Sequence, residues 1–168
     1  FCPSNFPQNA RIRMIDPKAG VDFPWLRQMP HLDGDLITEQ DEAIHALEEM
    51  VAEMERRNRL LADAGVTKLD NYNKKVPPEG QLPRIWLFHD ELADWMMINE
   101  YRDAVDLNAS RLGVKARAAG INLVLITQRP DKDALPMQLR ANLTNRLVLP
   151  VADKQNSMQE HDKPGSEK

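Results

Sequence analysis

The sequence is short of several things, and each shortage narrows what the chain can be. Among 168 residues Cys2 is the one cysteine, so no disulfide forms within the chain and a reducing compartment fits. No apolar run approaches the roughly 20 residues that a membrane-spanning helix requires. The opening FCPSNFPQNA has neither the charged start nor the apolar stretch of a signal peptide. It also lacks an initiator Met, which fits a fragment or a processed chain. An excess of positive charge is missing too. The formal net charge is −4 with acids and bases interspersed, so there is no global pull toward nucleic acid and any such contact is local. Aromatics make up 5%, and they do not alternate with basic residues as in single-strand-binding surfaces. His31, His45, His89 and His161 have no metal-ligand spacing. What remains, 42% hydrophobic and 29% charged, is ordinary for a globular protein long enough to bury one core.

Periodicity divides the chain. RIRMI, residues 11–15, reads as a strand that Pro17 ends, leaving Asp16 and Lys18 at its carboxyl end. DFPWLRQMPHLDG, with two prolines, reads as loop. Residues 38–64 predict a helix with Thr38 as N-cap and Glu39, Asp41 and Glu42 in the first turn, where negative charge suits the helix dipole. Ile44, Leu47, Val51, Met54 and Leu61 share one face, interrupted by Asn58, and Gly65 supplies the stop. Arg56, Arg57 and Arg59 read as a solvated helix end. Residues 67–83 form a polar connector with a Pro-Pro break. Residues 84–88 read as a buried strand, and 93–119 as helix with a break around NEYRD. INLVLITQRP is a short apolar run between Gly120 and Pro130 and reads as another buried strand. A short helix in ALPMQLRANLT and a strand in NRLVLPV follow, before a polar tail.

Strands and helices alternating in this way imply right-handed crossovers and a mostly parallel sheet covered on both faces. Ligands of such folds bind beyond the carboxyl ends of the strands. Three of those ends carry polar residues: Asp16-Pro17-Lys18, Asp90-Glu91 and Thr127-Gln128-Arg129. Well separated in sequence, they can converge on one crevice.

IWLFHDELADWMM, residues 85–97, is the stretch that most needs an explanation, because it closes an apolar strand on two adjacent carboxylates that repel each other. One reading is an acidic helix start that caps its own first turn. The other is a resemblance to the Walker B element of P-loop NTPases, where the Asp holds Mg²⁺ and the following Glu orients the attacking water. In the second reading the cation offsets the repulsion.

MIDPK, MERRNRLL, DELADWMM, KARAAGINLVLITQRP and RANLTNRLVLPVADK occur in this order. Together they resemble the motor domain of the FtsK/SpoIIIE DNA translocase family from about Arg11 to Lys168, ARAAGINLVLITQRP being the most specific piece. The resemblance implies a RecA-like P-loop NTPase fold of α/β type, an ATPase using ATP and Mg²⁺, a homo-hexameric ring, and double-stranded DNA as the partner moved through it. Asp90 matches the Mg²⁺ carboxylate and Glu91 the catalytic one. Thr127 and Gln128 match the sensor that reads the γ-phosphate, and Arg146 matches a candidate arginine finger, with Arg140 a weaker one. Asp16 and Lys18 match the DPK turn without an assigned role. The family usually has an apolar residue where His89 stands. Its imidazole could hydrogen-bond a neighbouring carboxylate, although a satisfied, partly buried His is the plainer reading.

No glycine begins G-x-x-x-x-G-K-[ST], the loop whose amides and Lys hold phosphates. In the family that loop lies upstream. The expectation is therefore an incomplete motor domain over residues 1–150, with 151–168 a polar segment that stops before the domain ends, and very poor ATP hydrolysis by this stretch alone. Lys115 with Arg117, and Lys74 with Lys75, are the local basic groups, but the DNA-contacting residues stay open. A cytoplasmic location is expected, with any membrane contact through regions outside this chain. Two alternatives are a related protein-secretion ATPase of the type VII kind and a noncatalytic interaction module retaining the fold.

Overall fold

A computed structural model of the chain describes residues 6–128, 137–142 and 147. In chain order its elements are β1 (Ala10–Ile15), α1 (Gln40–Asp63), α2 (Leu69–Asn73), β2 (Arg84–His89), α3 (Ala93–Met96), α4 (Asn99–Lys115), β3 (Ile121–Leu125) and α5 (Met137–Asn142). Single 3-10 turns occupy Pro24–Gln28 and Pro78–Gly80. The strand expected in NRLVLPV falls outside the described residues, apart from Leu147.

The three strands lie side by side in the order β1-β2-β3, all parallel. Ile15 stands opposite His89, and His89 opposite Leu125, so the strands finish level and their carboxyl ends share one edge. The expected strand at residues 84–88 runs one residue further, because His89 is still in the ladder and its carbonyl accepts from Ile126 N–H at 2.9 Å. Along its outer edge β1 is paired by residues 31–37, which take in the end of the stretch that read as loop and the residues just after it. Ile12 N–H donates to His31 O at 2.8 Å, and Asp16 N–H to Ile37 O at 2.8 Å. These bonds satisfy an edge that would otherwise present open backbone groups.

Side chains alternate between the faces of a strand, and this sheet sorts them cleanly. Ile15, Ile85, Leu87 and Ile121 point to the face on which α1 and α4 pack, forming one core with Leu47, Val51 and Met54 of α1 and Tyr101, Val105, Ala109 and Leu112 of α4. Met14 points the other way, into a smaller cluster with Leu26 and Leu36 and the partly buried Phe88. Each aliphatic side chain buried in full contributes about 1.5–3 kcal/mol, so the helical face dominates the stability.

The long helix begins at Gln40, with Glu39 in the N-cap position and no side-chain cap. Thr38 is thus not the cap. Asp41 and Glu42 do occupy the first turn, and Gly65 follows the end with φ +65°. The arginine group is split by burial. Arg56 and Arg59 are exposed, whereas Arg57 is 1% exposed. Its guanidinium donates to Glu53 Oε1 at 2.7 Å, Pro83 O at 2.7 Å and Ala119 O at 3.1 Å. It therefore ties α1 to the entrances of β2 and β3, and desolvation pulls its pKa down against the support of Glu53. The reading of this group as a solvated helix end fails at that one residue. The break in the following helix also comes earlier than expected, at Met97–Ile98. Ile98 is extended (φ −90°, ψ 116°), and the polar residues 99–103 are already inside α4, where Arg102 donates to Asn99 Oδ1 at 2.7 Å. The polar connector contains α2, which buries Leu69 under Gly120. Gly120 has φ +75°, and any Cβ there would overlap Leu69. Among the described residues no helix is long and apolar enough to cross a membrane.

Candidate functional site at the carboxyl ends of the strands

Each strand tip delivers its polar residues to the common edge by a different local device. After β1, the Asp16 carboxylate is fully buried and accepts from two backbone donors, Lys18 N–H at 2.8 Å and Gly20 N–H at 2.7 Å. A short acid folding back on its own backbone is the usual way to hold a tight turn. Here it carries the chain through Ala19 at φ +56° and Gly20 at φ +80°. Lys18 pairs with Asp22 at 3.2 Å, and that contact chiefly raises its pKa, with smaller support from Glu91 and Asp90. A cationic side chain thus lies within electrostatic reach of both acids.

At the end of β2 the chain makes a strained step. Asp90 N–H still donates to Ile15 O at 2.9 Å, keeping Asp90 alongside β1. Glu91 then has φ +40°, a left-handed conformation that costs a residue with a Cβ about 1–3 kcal/mol. Leu92 N–H closes the step by donating to Ile126 O at 2.8 Å. The result turns the Glu91 side chain toward β3. Buried to 6% exposure, its Oε1 accepts from Gln128 N–H at 3.2 Å and from Thr127 Oγ1 at 3.3 Å.

Asp90 is half-buried. Its pKa is raised, first by desolvation and next by the buried Asp16 carboxylate, while a backbone bond to Glu91 and the Lys18 charge pull the other way. Burial and the Asp16 carboxylate disfavour the charged form of this acid, and a cation beside it would favour that form. The described residues contain no cluster of three His, Cys, Asp or Glu side chains suited to a metal. Mg²⁺ does not require such a cluster, since it is commonly held by one or two carboxylates together with waters and phosphate oxygens. A triphosphate is a different matter. The phosphate-binding loop pattern is absent from these 168 residues.

His89 bonds neither carboxylate. It is fully buried and reaches the Asp90 carbonyl oxygen at 3.0 Å through Nδ1 and the Tyr101 hydroxyl through Nε2. Burial lowers its pKa to about 4 and raises that of Tyr101, so both are neutral near pH 7.

Five of the residues singled out from the sequence, Asp16, Asp90, Glu91, Thr127 and Gln128, come together at one edge of the sheet. Arg129 and Arg146 lie outside the described residues. Arg140 is on α5, whose Leu139 joins the core. Sequence reasoning passed over Tyr101. A signal was present, since Tyr101, Val105, Ala109 and Leu112 form the buried stripe of α4 at helical spacing, and a buried Tyr needs a hydrogen-bond partner.

The FtsK/SpoIIIE family model matches residues 2–132. The DNA translocase FtsK of Campylobacter jejuni is 42% identical over 165 residues, which are 97% of this chain. The chain belongs to the FtsK/SpoIIIE family. The DNA translocase FtsK of Pseudomonas aeruginosa is 37% identical over 96% of the chain. This FtsK/SpoIIIE chain spans only 17% and 22% of the length of those two relatives. Among solved structures, the pCW3 conjugation coupling protein TcpA, bound to ATPγS, superposes with a TM-score of 0.77 at 34% identity, over 91% of this chain and 44% of that one. The cytoplasmic domain of EssC gives 0.75 at 20% identity, over 94% and 30%, a likeness of fold alone. The α/β architecture is accordingly RecA-like, with a parallel sheet and packed helices.

Proposed function

We propose that this chain is part of an ATP-driven motor that moves double-stranded DNA, and that the edge described above is the hydrolytic part of its nucleotide site. Glu91 orients and polarises the water that attacks the γ-phosphate, the task of a positioned carboxylate base. Asp90 is the carboxylate for Mg²⁺, which when bound neutralises charge on the phosphates. Gln128 and Thr127 form the sensor, because a group bonded to the catalytic acid feels the loss of the phosphate beside it. Arg146 is the candidate finger toward a neighbouring subunit in a hexameric ring, and Arg140 the weaker candidate. The phosphate-holding loop comes from outside these 168 residues.

The observation that carries this reading is the state of Glu91. It is buried, strained and bonded to the tip of the next strand. A fold seeking only stability would place Gly at φ +40° and keep a carboxylate in water. Similarity favours DNA as the cargo. The relatives at 37–42% identity are DNA translocases and the neighbour at 34% is a conjugation coupling protein, whereas the EssC domain is 20% identical. The complete protein should displace a triplex-forming strand from duplex DNA in the presence of Mg²⁺ and ATP, and lose that activity on Glu91→Gln. Displacement that persists without ATP, or an ATPase indifferent to duplex DNA, would point away from a DNA motor.

A further inference from the structure

β2 ends on a residue that the chemistry above does not use. Both ring nitrogens of His89 are engaged, and their partners fix its tautomer. The Asp90 carbonyl oxygen only accepts, so Nδ1 carries the hydrogen. Nε2 of the neutral ring is then an acceptor, and Tyr101 donates its hydroxyl to it. Trp95 and Tyr101 meet the imidazole edge to face with centroids 6.0 and 5.9 Å away, and meet each other at 5.3 Å. Three rings packed edge to face at interplanar angles of 67°, 73° and 77°, with both ring nitrogens bonded, restrict how the imidazole can turn.

The carbonyl that His89 holds belongs to the Asp90–Glu91 peptide, whose plane is one side of the φ torsion of Glu91. On either side the backbone is anchored, Asp90 N–H on Ile15 and Leu92 N–H on Ile126. The strained step lies between these anchors, and the His89 ring grips it there. An apolar side chain would fill the same volume without fixing that peptide.

We propose that His89, itself oriented by Tyr101, is a positioning residue that clamps the Asp90–Glu91 peptide and so keeps the Glu91 carboxylate against the tip of β3. The inference rests on the reading of Glu91 as the water-orienting acid. It makes α4 part of the hydrolytic apparatus: a shift of that helix that moves the Tyr101 hydroxyl loosens the peptide and slows hydrolysis.

The test uses the complete protein with saturating duplex DNA and compares isosteric replacements. His89→Asn keeps an N–H where Nδ1 was, retaining the tether to Asp90 and losing Tyr101. His89→Gln places its amide near Nε2, doing the reverse. His89→Gln should lower kcat about tenfold with the KM for ATP nearly unchanged, as expected when a reacting group is displaced by a fraction of an ångström. His89→Asn and Tyr101→Phe, which both lose the His89–Tyr101 bond and keep the tether to Asp90, should show the same small but measurable loss of kcat, well short of that in His89→Gln. Equal losses in the Asn and Gln variants, or lower melting temperatures with kcat intact, overturn the inference. If His89→Gln does not fold, Tyr101→Phe, which removes a single oxygen, decides: parent kcat overturns the inference. Glu91→Gln in the same series separates the two readings. If it hydrolyses ATP at the parent rate, the reading of Glu91 fails and takes the inference with it. If it is inactive while His89→Gln and Tyr101→Phe are fully active, the positioning role alone fails.

Discussion

The backbone N–H of Gln128 donates to Glu91 Oε1 across 3.2 Å, so the segment after β3 is bonded through its main chain to the acid two residues past the end of β2. The exposed Gln128 side chain is not needed for that bond and is available to a ligand. Gln128→Ala should leave the melting temperature within about 1 °C of the parent, since exposed substitutions change stability little. In the complete protein it should lower DNA-stimulated ATP hydrolysis by about tenfold or more, the scale of one lost polar contact in a transition state. Calorimetry and steady-state kinetics on one preparation check both halves.

Backbone strain at Glu91 gives a reversal of the usual order of side chains. Gly normally destabilises a fixed backbone position relative to Ala. At φ +40° the Cβ is the liability. Glu91→Gly should therefore be about 1 kcal/mol more stable than Glu91→Ala in chemical denaturation. Both lack the carboxylate, so the comparison isolates the torsion. Equal midpoints would mean that Glu91 relaxes to an ordinary conformation in solution.

Arg57 predicts a contrast within three neighbouring arginines. Replacing it by Ala removes the donors to Pro83 O and Ala119 O and leaves Glu53 without one of its partners, which should cost about 3 kcal/mol or more. Arg59→Ala and Arg56→Ala should each cost under about 1 kcal/mol, since both side chains are exposed. Urea denaturation of the three variants measures this.

Asp106 on α4 should make stability depend on pH. Its pKa is raised above 3.8, mainly by desolvation and further by Asp103, against a smaller lowering by Arg102. Its Oδ1 has no hydrogen-bond partner among the described residues. The folded state therefore binds this proton more tightly than the unfolded state. The associated stability is fully present below pH 3.8 and is lost as pH rises through the folded pKa. Asp106→Asn should be more stable than the parent at pH 7, where the parent must keep a desolvated carboxylate that the amide replaces. The difference should shrink as pH approaches 4. Thermal melts of both proteins across pH 4–7 give the curve, and a constant difference would contradict it.

How much of this could be read beforehand depends on the kind of interaction. The strands in residues 84–88 and in INLVLITQRP were legible because buried parallel strands are uninterrupted apolar runs, and their polar ends followed from where those runs stop. The meeting of Asp16, Asp90 and Gln128 at one edge followed from right-handed crossovers, which leave parallel strands pointing the same way. Arg57 was not legible, because an arginine's burial depends on carbonyls, here those of Pro83 and Ala119, that come near it only after folding. The turn held by Asp16 was visible as an acid before Pro17, but its pairing with Lys18 N–H and Gly20 N–H depends on the left-handed backbone at Ala19. His89 and Tyr101 are twelve positions apart on different elements, and a break at Met97–Ile98 sets their approach. Polar residues in 67–83 hid α2, since a five-residue helix has too few turns for a periodic stripe.

The central claim is that Glu91, held across the tips of β2 and β3, orients the water for ATP hydrolysis. Its most direct test is the steady-state ATPase rate of the complete protein carrying Glu91→Gln at saturating ATP, Mg²⁺ and duplex DNA. Glutamine preserves the size of the side chain and an oxygen for the Gln128 N–H, and removes the basicity. The rate should fall at least about a hundredfold with nucleotide binding retained, the loss expected for a general base. A rate within a few-fold of the parent would contradict the account.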